Sequence, residues 1–236
     1  MSAKYPRSFH LPWSPGGTSD DKRIADVSTL LAREIVITEK CDGSNLTYAR
    51  RGVFARSHAG PPTHASFDWA KATHGRVVHL LTEEVSVFAE YCYAIHSVEY
   101  GALPSYSLVF GVRDDARKLW WDWDRVAVEA SKLELPTVPV LFRGSVATER
   151  DLEEVTTALA SEPSQFGGVR EGVVVRLASA FEDATFSRSL AKWVRKNHVT
   201  SDEHWLHQPI RPQALQDGAS ASRQASGQSP RDRSQK

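Results

Sequence analysis

The order of apolar strands and amphipathic helices predicts a mixed α+β fold for this chain. Two observations carry the prediction: β-branched runs bounded by turn residues recur along the sequence, and two segments place apolar residues at helical spacing. Hydrophobic residues make up 41% of the 236 positions and charged residues 25%, which is typical of a globular domain. We expect one folded domain over residues 1–208 and a disordered tail over residues 209–236.

A loop and three strands open the chain, and a helix and two strands follow. Proline and glycine mark positions 11–17 as a loop, and its leucine and tryptophan indicate that it packs on the domain. The β-branched run at 34–38 predicts a buried strand, and Arg51-Gly52 marks the turn between two more. The next predicted elements are a helix at 68–81 and apolar strands at 85–93 and 107–112.

The second half of the chain contains two amphipathic helices. Apolar residues at helical spacing between Trp123 and Leu133 predict a stripe that faces the core. Thr148 and Asp151 have the spacing of a capping box. The helix that they open should end before Pro163 and bury Leu152, Val155 and Leu159.

A buried strand and a polar tail complete the predicted elements. Two glycines at 167–168 turn the chain into an apolar strand at 169–177. After His207 small and polar residues dominate, so little apolar burial is left to offset the entropy cost of ordering. This composition is the reason for placing the domain boundary at residue 208.

Lys40 is the strongest candidate for a chemically active residue. It follows the strand at 34–38 and precedes Asp42-Gly43, so the backbone turns just after it and fixes its ammonium. The pKa of a free lysine is about 10.4, so a nucleophilic role predicts a pocket that lowers the pKa of Lys40. A bare K-x-D-G match is weak, and its plain alternative is a solvated loop lysine.

Single charged or aromatic residues inside apolar segments mark further candidates. Glu90 lies in an apolar aromatic run and Glu171 directly precedes Gly-Val-Val-Val, and a buried carboxylate is costly without a partner. Phe110 fits a stacking ring or an ordinary core residue. Four basic residues without an intervening acid fit either a phosphate-binding strand or a solvated face: Arg188, Lys192, Arg195 and Lys196.

The order of these motifs resembles the covalent nucleotidyltransferase superfamily of ATP-dependent ligases and mRNA capping enzymes. The matching segments cover roughly residues 34 to 200 and are, in order, 39–45, 54–57, 87–91, 108–111, 171–175 and 192–196. Asn45, five residues after Lys40, and the Phe-Ala-Glu-Tyr motif make the phage RNA ligase 2-like group the most similar. The resemblance implies an ATP-grasp-like ligase core of antiparallel sheets flanked by helices, without an appended OB domain.

The resemblance also implies catalytic roles for five residues. Lys40 would attack the α-phosphate of ATP and form lysyl-AMP. Arg56 would contact the nucleotide sugar or a substrate 5′-phosphate, and Asn45 would act in sealing. Lys192 and Lys196 would contact phosphate, with Arg195 between them, because alternate residues of a strand share one side.

The implied cofactors are ATP and a divalent metal, Mg²⁺ or Mn²⁺. Glu171 would hold the metal, Glu90 would contact the ribose, and Phe110 would stack on adenine. The implied nucleotide-binding set is Glu39, Lys40, Arg56, Glu90, Phe110, Glu171, Lys192 and Lys196.

The expected function is ATP-dependent joining of RNA 5′-phosphate and 3′-hydroxyl ends for RNA repair. Two enzymatic alternatives stay open: a capping-type guanylyltransferase would use GTP with the same lysine, and a DNA nick ligase would seal DNA. A non-catalytic nucleic-acid-binding module would have no need of Lys40. Larger relatives carry a further domain after the last motif, so a protein partner could supply end specificity. The sequence does not indicate the oligomeric state.

Composition argues against several other classes of protein and site. A net charge of zero, from 29 basic and 29 acidic residues, argues against coating long stretches of nucleic acid. No apolar run has the length of a membrane span and no secretory signal is present, so we expect a cytoplasmic protein without a membrane partner. Cys41 and Cys92 should be reduced packing residues. His204 and His207 fit a helix cap better than a metal site.

Overall fold

The computed structural model describes residues 4–17, 21–57, 60–196 and 210–216, which form two sheets with helices packed against them. The first sheet has five strands, in the order β1 (Phe9–His10), β11 (Leu190–Val194), β9 (Gly172–Leu177), β2 (Ile35–Lys40) and β8 (Val140–Gly144). The second has six, in the order β10 (Phe181–Glu182), β7 (Leu119–Trp120), β6 (Ser107–Asp114), β5 (Val85–Tyr91), β3 (Ser44–Ala49) and β4 (Gly52–Ala55).

Pairing is antiparallel throughout both sheets except between β1 and β11. The predicted α+β class with antiparallel sheets is therefore confirmed. β2 lies inside the first sheet, between β9 and β8, and its residues Ile35, Val36 and Ile37 are fully buried. A strand covered on both faces needs apolar residues without alternation, which is the pattern of this run.

Four helices of the described residues cover the sheets: α1 (Asp68–Val77), α2 (Trp123–Lys132), α3 (Glu149–Ser161) and α4 (Phe186–Ser189). α1 packs on β4 and α2 on β6, whereas α3 contacts β9 and β11 and α4 contacts β11. The capping box of α3 is present, with Thr148 Oγ1 accepting from Asp151 N at 3.2 Å and Asp151 Oδ2 accepting from Thr148 N at 3.0 Å.

Two helix predictions need correction. α1 stops at Val77 and one 3-10 turn follows at Val78–Leu80, so the predicted helix at 68–81 has two parts. α3 buries Leu152, Thr156 and Ala160, whereas Val155 and Leu159 are only partly buried. Thr156 is tolerated inside because its hydroxyl donates to the backbone oxygen of Leu152 and accepts from the Trp13 indole.

The boundaries of four strands differ from the sequence prediction. β2 runs over Ile35–Lys40 and not over 34–38, so Lys40 is its last residue. β5 ends at Tyr91, two residues early, and β6 continues to Asp114. β9 begins only at Gly172, because Gly167 and Gly168 turn the chain with positive φ angles of 84° and 78° and Val169 then pairs with Pro163. Val169 is consequently 58% exposed.

One predicted loop packs as expected, and one segment of the predicted tail packs more closely than its composition suggested. The loop at 11–17 lies on the domain as predicted: Leu11 and Ser14 are buried, and Arg23 donates to the backbone oxygens of both. Residues 210–216 belong to the predicted tail but are packed, with Gln213 only 3% exposed. Their order comes from backbone pairing with residues 93–103, a long-range contact that composition does not reveal.

Three smaller predictions have separate outcomes. Cys41 and Cys92 are free and buried, as expected of packing residues. His204 and His207 lie outside the described residues. Within the described part of the chain, no helix is long and apolar enough to cross a bilayer.

Candidate active site

A cavity of about 360 Å³ lies between the two sheets. This volume is within the range of ligand pockets, about 300–1,000 Å³. The first sheet contributes Glu39, Lys40 and Lys192 to its lining. The second sheet and the end of β4 contribute Asn45, Arg56, Glu90 and Phe110. Seven of the nine predicted site residues therefore meet in one cavity, although the first and last, Glu39 and Lys192, are 153 positions apart in the chain.

Strand register brings Lys40 and Glu171 together. Lys40 at the end of β2 pairs with Gly172 at the start of β9, so Glu171 arrives beside it. Lys40 Nζ donates to Glu171 Oε2 at 2.6 Å, and the side chains are 25% and 4% exposed. Glu171 is thus not part of the cavity lining itself but contacts Lys40, which is.

Burial and the neighbouring charges have opposite effects on the pKa of Lys40. Burial is the largest influence and favours the neutral amine, but the carboxylates of Glu171, Glu90 and Asp42 together raise the pKa of Lys40 above its ordinary value. The expected lowering of this pKa is therefore wrong for this arrangement. Burial also raises the pKa of Glu171, and Lys40 opposes that shift.

Glu90 faces Lys40 from the second sheet. It pairs with Asn45 across β3 and β5, and its Oε1 accepts from the backbone nitrogen of Gly43 at 3.1 Å. Burial raises the pKa of Glu90 to about 7, although the nearby Lys40 lowers it. This carboxyl group therefore changes charge near neutral pH.

The loop after Lys40 is held by hydrogen bonds to Asp42. Its Oδ2 accepts from Ser97 N at 2.7 Å, Ser97 Oγ at 2.8 Å and Val98 N at 2.8 Å. Its backbone nitrogen donates to Tyr100 Oη at 2.7 Å. The turn that presents Lys40 is consequently fixed from the side of the β5–β6 connection.

The two predicted phosphate-binding lysines separate. Lys192 lines the cavity, and burial, followed by the charge of Lys40, lowers its pKa. Lys196 lies two residues beyond the end of β11, is exposed, and is not part of the cavity lining. The prediction that both share one face fails because the strand ends at Val194.

Glu39 is largely occupied by contacts within the protein. Its carboxylate accepts from Ser164 Oγ at 2.5 Å and from Gln165 N at 3.1 Å, and it lies 3.4 Å from Arg170 Nε. With 1% exposure it stabilises the turn before β9. Asn45 differs, because its Oδ1 is buried without a hydrogen-bond partner among the described residues.

Sequence reasoning missed several residues that line the cavity. Four consecutive residues, Tyr5 to Ser8, reach it because β1 pairs with β11 and places His10 opposite Lys192. Tyr5 meets Phe110 edge to face, with ring centroids 5.0 Å apart. No local signal marks this segment.

Arg176 is the second omission, and an arginine inside an apolar strand was a usable signal. Burial lowers the pKa of Arg176 to about 10. Its guanidinium donates to the backbone oxygens of Trp121 and Leu177 at 2.5 and 3.1 Å. It lines the cavity from β9.

A comparison with protein families decides the classification. The RNA ligase family profile matches residues 33–194, which is more than half of the chain. The chain belongs to the RNA ligase family. The matched span includes β2 through β11 and every cavity residue named above except Tyr5 to Ser8.

Solved structures of a Naegleria gruberi RNA ligase share the fold of this RNA ligase family member. A mutant with ATP and Mn aligns with TM-score 0.54 and 16% identity over 74% of this chain and 52% of that one. The same ligase with PPi gives 0.54 and 16% over 74% and 52%, and a mutant with AMP and Mn gives 0.53 and 15% over 74% and 53%. This chain therefore spans about half of those ligases. No curated protein matches its sequence at the required significance.

Proposed function

We propose that this chain is an ATP-dependent RNA ligase of the phage RNA ligase 2-like group, which joins 5′-phosphate and 3′-hydroxyl ends for RNA repair. The observation that carries the proposal is the Lys40–Glu171 pair at the wall of a cavity that Lys192 and Glu90 also line. Similarity to a ligase solved with ATP and Mn supports the choice of ATP and a divalent metal.

In the first step, Lys40 Nζ attacks the α-phosphorus of ATP. A P–N bond forms, the bond between the α-phosphorus and its bridging oxygen breaks, and pyrophosphate leaves with the electron pair. The ammonium proton must leave before the attack, and Glu171 Oε2 at 2.6 Å is a base within hydrogen-bond distance. Lys192 provides positive charge for the phosphates.

In the next steps the AMP group moves to the RNA. An oxygen of the RNA 5′-phosphate attacks the AMP phosphorus, the P–N bond breaks, and Lys40 recovers a proton. An oxygen of the 3′-hydroxyl then loses its proton and attacks the 5′-phosphate, and AMP leaves. Arg56 suits the 5′-phosphate because a guanidinium can bind phosphate through two hydrogen bonds. Asn45 serves sealing, and its buried Oδ1 has no partner among the described residues.

The nucleotide and metal fit the residues present. Glu90 suits a ribose hydroxyl, and Phe110 suits the base, because each lines the cavity. The described residues contain no group of three or more His, Cys, Asp or Glu placed to hold a metal alone. Mg²⁺ commonly binds one or two carboxylates and substrate phosphates, so Glu171, beside Lys40, would hold the ion together with the phosphates of ATP. The ion would neutralise charge on the leaving pyrophosphate.

The test is covalent labelling of the purified protein. The protein is incubated with Mg²⁺ and α-³²P-ATP, or separately with α-³²P-GTP, and label is measured after denaturation. We expect label from ATP in the native protein and none in Lys40→Ala. The control is Lys71→Ala, which changes a lysine on α1 whose side chain is 39% exposed, and it should be labelled like the native protein. Label from GTP alone would instead indicate capping chemistry, and label from neither would favour a binding module.

A second assay separates RNA from DNA. Labelled protein is mixed with 5′-phosphorylated RNA or DNA, as single strands and as nicked duplexes, and products are resolved by size. We expect joined RNA. Joining of nicked DNA alone would contradict the proposal in favour of a DNA ligase.

A further inference from the structure

Residues 210–216, called the C-terminal strap below, pack along the connection between β5 and β6. Ile95 N donates to Arg211 O at 2.9 Å, and Leu103 N donates to Ala214 O at 3.0 Å. Gln213 N donates to Tyr93 O at 2.8 Å. The strap therefore binds both ends of this connection through backbone hydrogen bonds.

Gln213 reaches from the strap into the middle of the connection. Its Oε1 accepts from Tyr100 N and its Nε2 donates to Val98 O, both at 2.7 Å. The residue is 3% exposed. A primary amide offers a donor and an acceptor at the same end of a side chain, so Gln213 fixes two backbone groups two positions apart.

The same stretch of the connection holds the loop of Lys40. Ser97 and Val98 donate to the Asp42 carboxylate, and Tyr100 Oη accepts from Asp42 N. Asp42 is two residues after Lys40. Residues 97–100 thus hydrogen-bond to the strap on one side and to Asp42, two residues from the candidate nucleophile, on the other.

We propose that Gln213 is a positioning residue for lysyl-AMP formation, which places Lys40 by fixing residues 98–100 behind Asp42. This inference rests on the proposed function. Loss of the amide leaves buried backbone groups unsatisfied, so the connection must shift to find other partners. A small displacement of a nucleophile is enough to slow an in-line attack by a large factor.

The experiment compares Gln213→Glu and Gln213→Ala with Gln216→Ala, a matched control because Gln216 lies in the same strap with an exposed side chain. The rate of label incorporation from α-³²P-ATP is measured in single turnover from pH 5.5 to 8.5, with ATP affinity and thermal unfolding measured separately. The introduced carboxyl of Gln213→Glu matches the amide when protonated, since it then has one donor and one acceptor.

Ionisation of that carboxyl would remove the donor to Val98 O. Burial and the charge of Asp42 should keep it protonated at low pH, whereas the Arg211–Glu99 pair at 3.9 Å is exposed and adds little. We expect Gln213→Glu to approach the native rate at pH 5.5 and to fall roughly 10- to 100-fold below it at pH 8.5. Gln213→Ala should be slow throughout, and Gln216→Ala should match the native protein.

Two results would overturn the inference while the native protein is labelled. One is a Gln213→Glu rate that keeps a constant ratio to the native rate at every pH. The other is a native rate in both Gln213 variants, with only the thermal unfolding temperature lowered, which would mean a purely structural role. Absence of label in the native protein would instead reject the proposed function.

Discussion

Lys40 shows how a partly buried lysine can remain an ammonium. Burial favours its neutral form, yet three carboxyl groups around it outweigh that effect and raise its pKa. The pair with Glu171 therefore keeps Lys40 protonated, and in the proposed mechanism this proton must leave before the amine attacks phosphorus. The same contact fixes the direction of the side chain, so positioning and protonation are linked at one residue.

The first prediction concerns the pH dependence of lysyl-AMP formation. Below the pKa of Lys40 the neutral amine increases about tenfold per pH unit, so the labelling rate should rise with pH from 6 to 9 until another step limits it. Glu171→Gln removes the main charge that raises this pKa. The labelling rate of this variant should therefore reach its plateau at a lower pH than the rate of the native protein. Single-turnover labelling of both proteins checks it, and superimposable profiles would contradict it.

The second prediction separates the two lysines at the end of the domain. Lys192 lines the cavity, whereas Lys196 is exposed beyond β11. Lys192→Ala should slow labelling roughly 100-fold because a phosphate loses its cation, and Lys196→Ala should change it less than about twofold. Equal losses in the two variants would show that the segment after β11 moves into the cavity.

At the scale of elements, the pairing of β9 with β11 holds two candidate site residues, Glu171 and Lys192, in the same part of the first sheet. Their antiparallel register joins the strand that follows Glu171 to the strand that contains Lys192. Gly172 permits this close approach, because a Cβ atom there would overlap the carbonyl group of Trp193. A glycine directly after the acidic residue is thus a packing requirement.

The third prediction follows from this contact. Gly172→Ala should destabilise the protein by more than about 3 kcal/mol and abolish labelling, because β9 and β11 must separate. The control is Gly75→Ala in α1, where a Cβ atom meets nothing within 4 Å. That change should stabilise the helix by about 0.5–1 kcal/mol. Urea unfolding measures both, and equal stabilities would refute the clash.

At the scale of the whole molecule, the cavity exists because two sheets face each other. Lys40 and Lys192 come from one sheet, whereas Glu90 and Phe110 come from the other. Two hydrophobic clusters underlie the sheets, and Phe110 packs against both. Charged groups that neither sheet would bury alone are therefore enclosed, and their titration affects the stability of the whole fold.

The fourth prediction concerns stability against pH. The pKa of Glu90 rises from 4.5 to about 7 on folding, so its contribution to stability is complete below about pH 4.5 and is lost as pH rises through 7. The amide of Glu90→Gln does not titrate, so the stability of this variant should not fall with pH for this reason. Relative to the native protein, the variant should gain on the order of 2–3 kcal/mol between pH 5 and pH 8.

Urea unfolding at the two pH values checks this prediction. The exposed Glu83→Gln is the control, since its side chain is accessible to solvent and should give no comparable change. A stability difference between Glu90→Gln and the native protein that is the same at pH 5 and pH 8 would contradict the linkage.

Local sequence patterns were sufficient for most of the fold. The β-branched run of β2, the capping box of α3 and the apolar stripe of α2 each specify their element through short-range chemistry. Motif order also identified seven residues that line the cavity and Glu171, which contacts Lys40. These residues share a distinctive neighbourhood in the chain, namely a charged or aromatic group beside an apolar strand.

The features that sequence patterns did not predict depend on long-range packing. No local signature marks the cavity position of Tyr5, the separation of Lys192 from Lys196 or the burial of Gln213. Each depends on strand register or on pairing between segments far apart in sequence, such as β1 on β11 or the strap on residues 93–103. Residue type and spacing determine the secondary structure of a segment and which of its faces is apolar. The contacts named here form only when two such segments pair and bury each other's backbone and side chains.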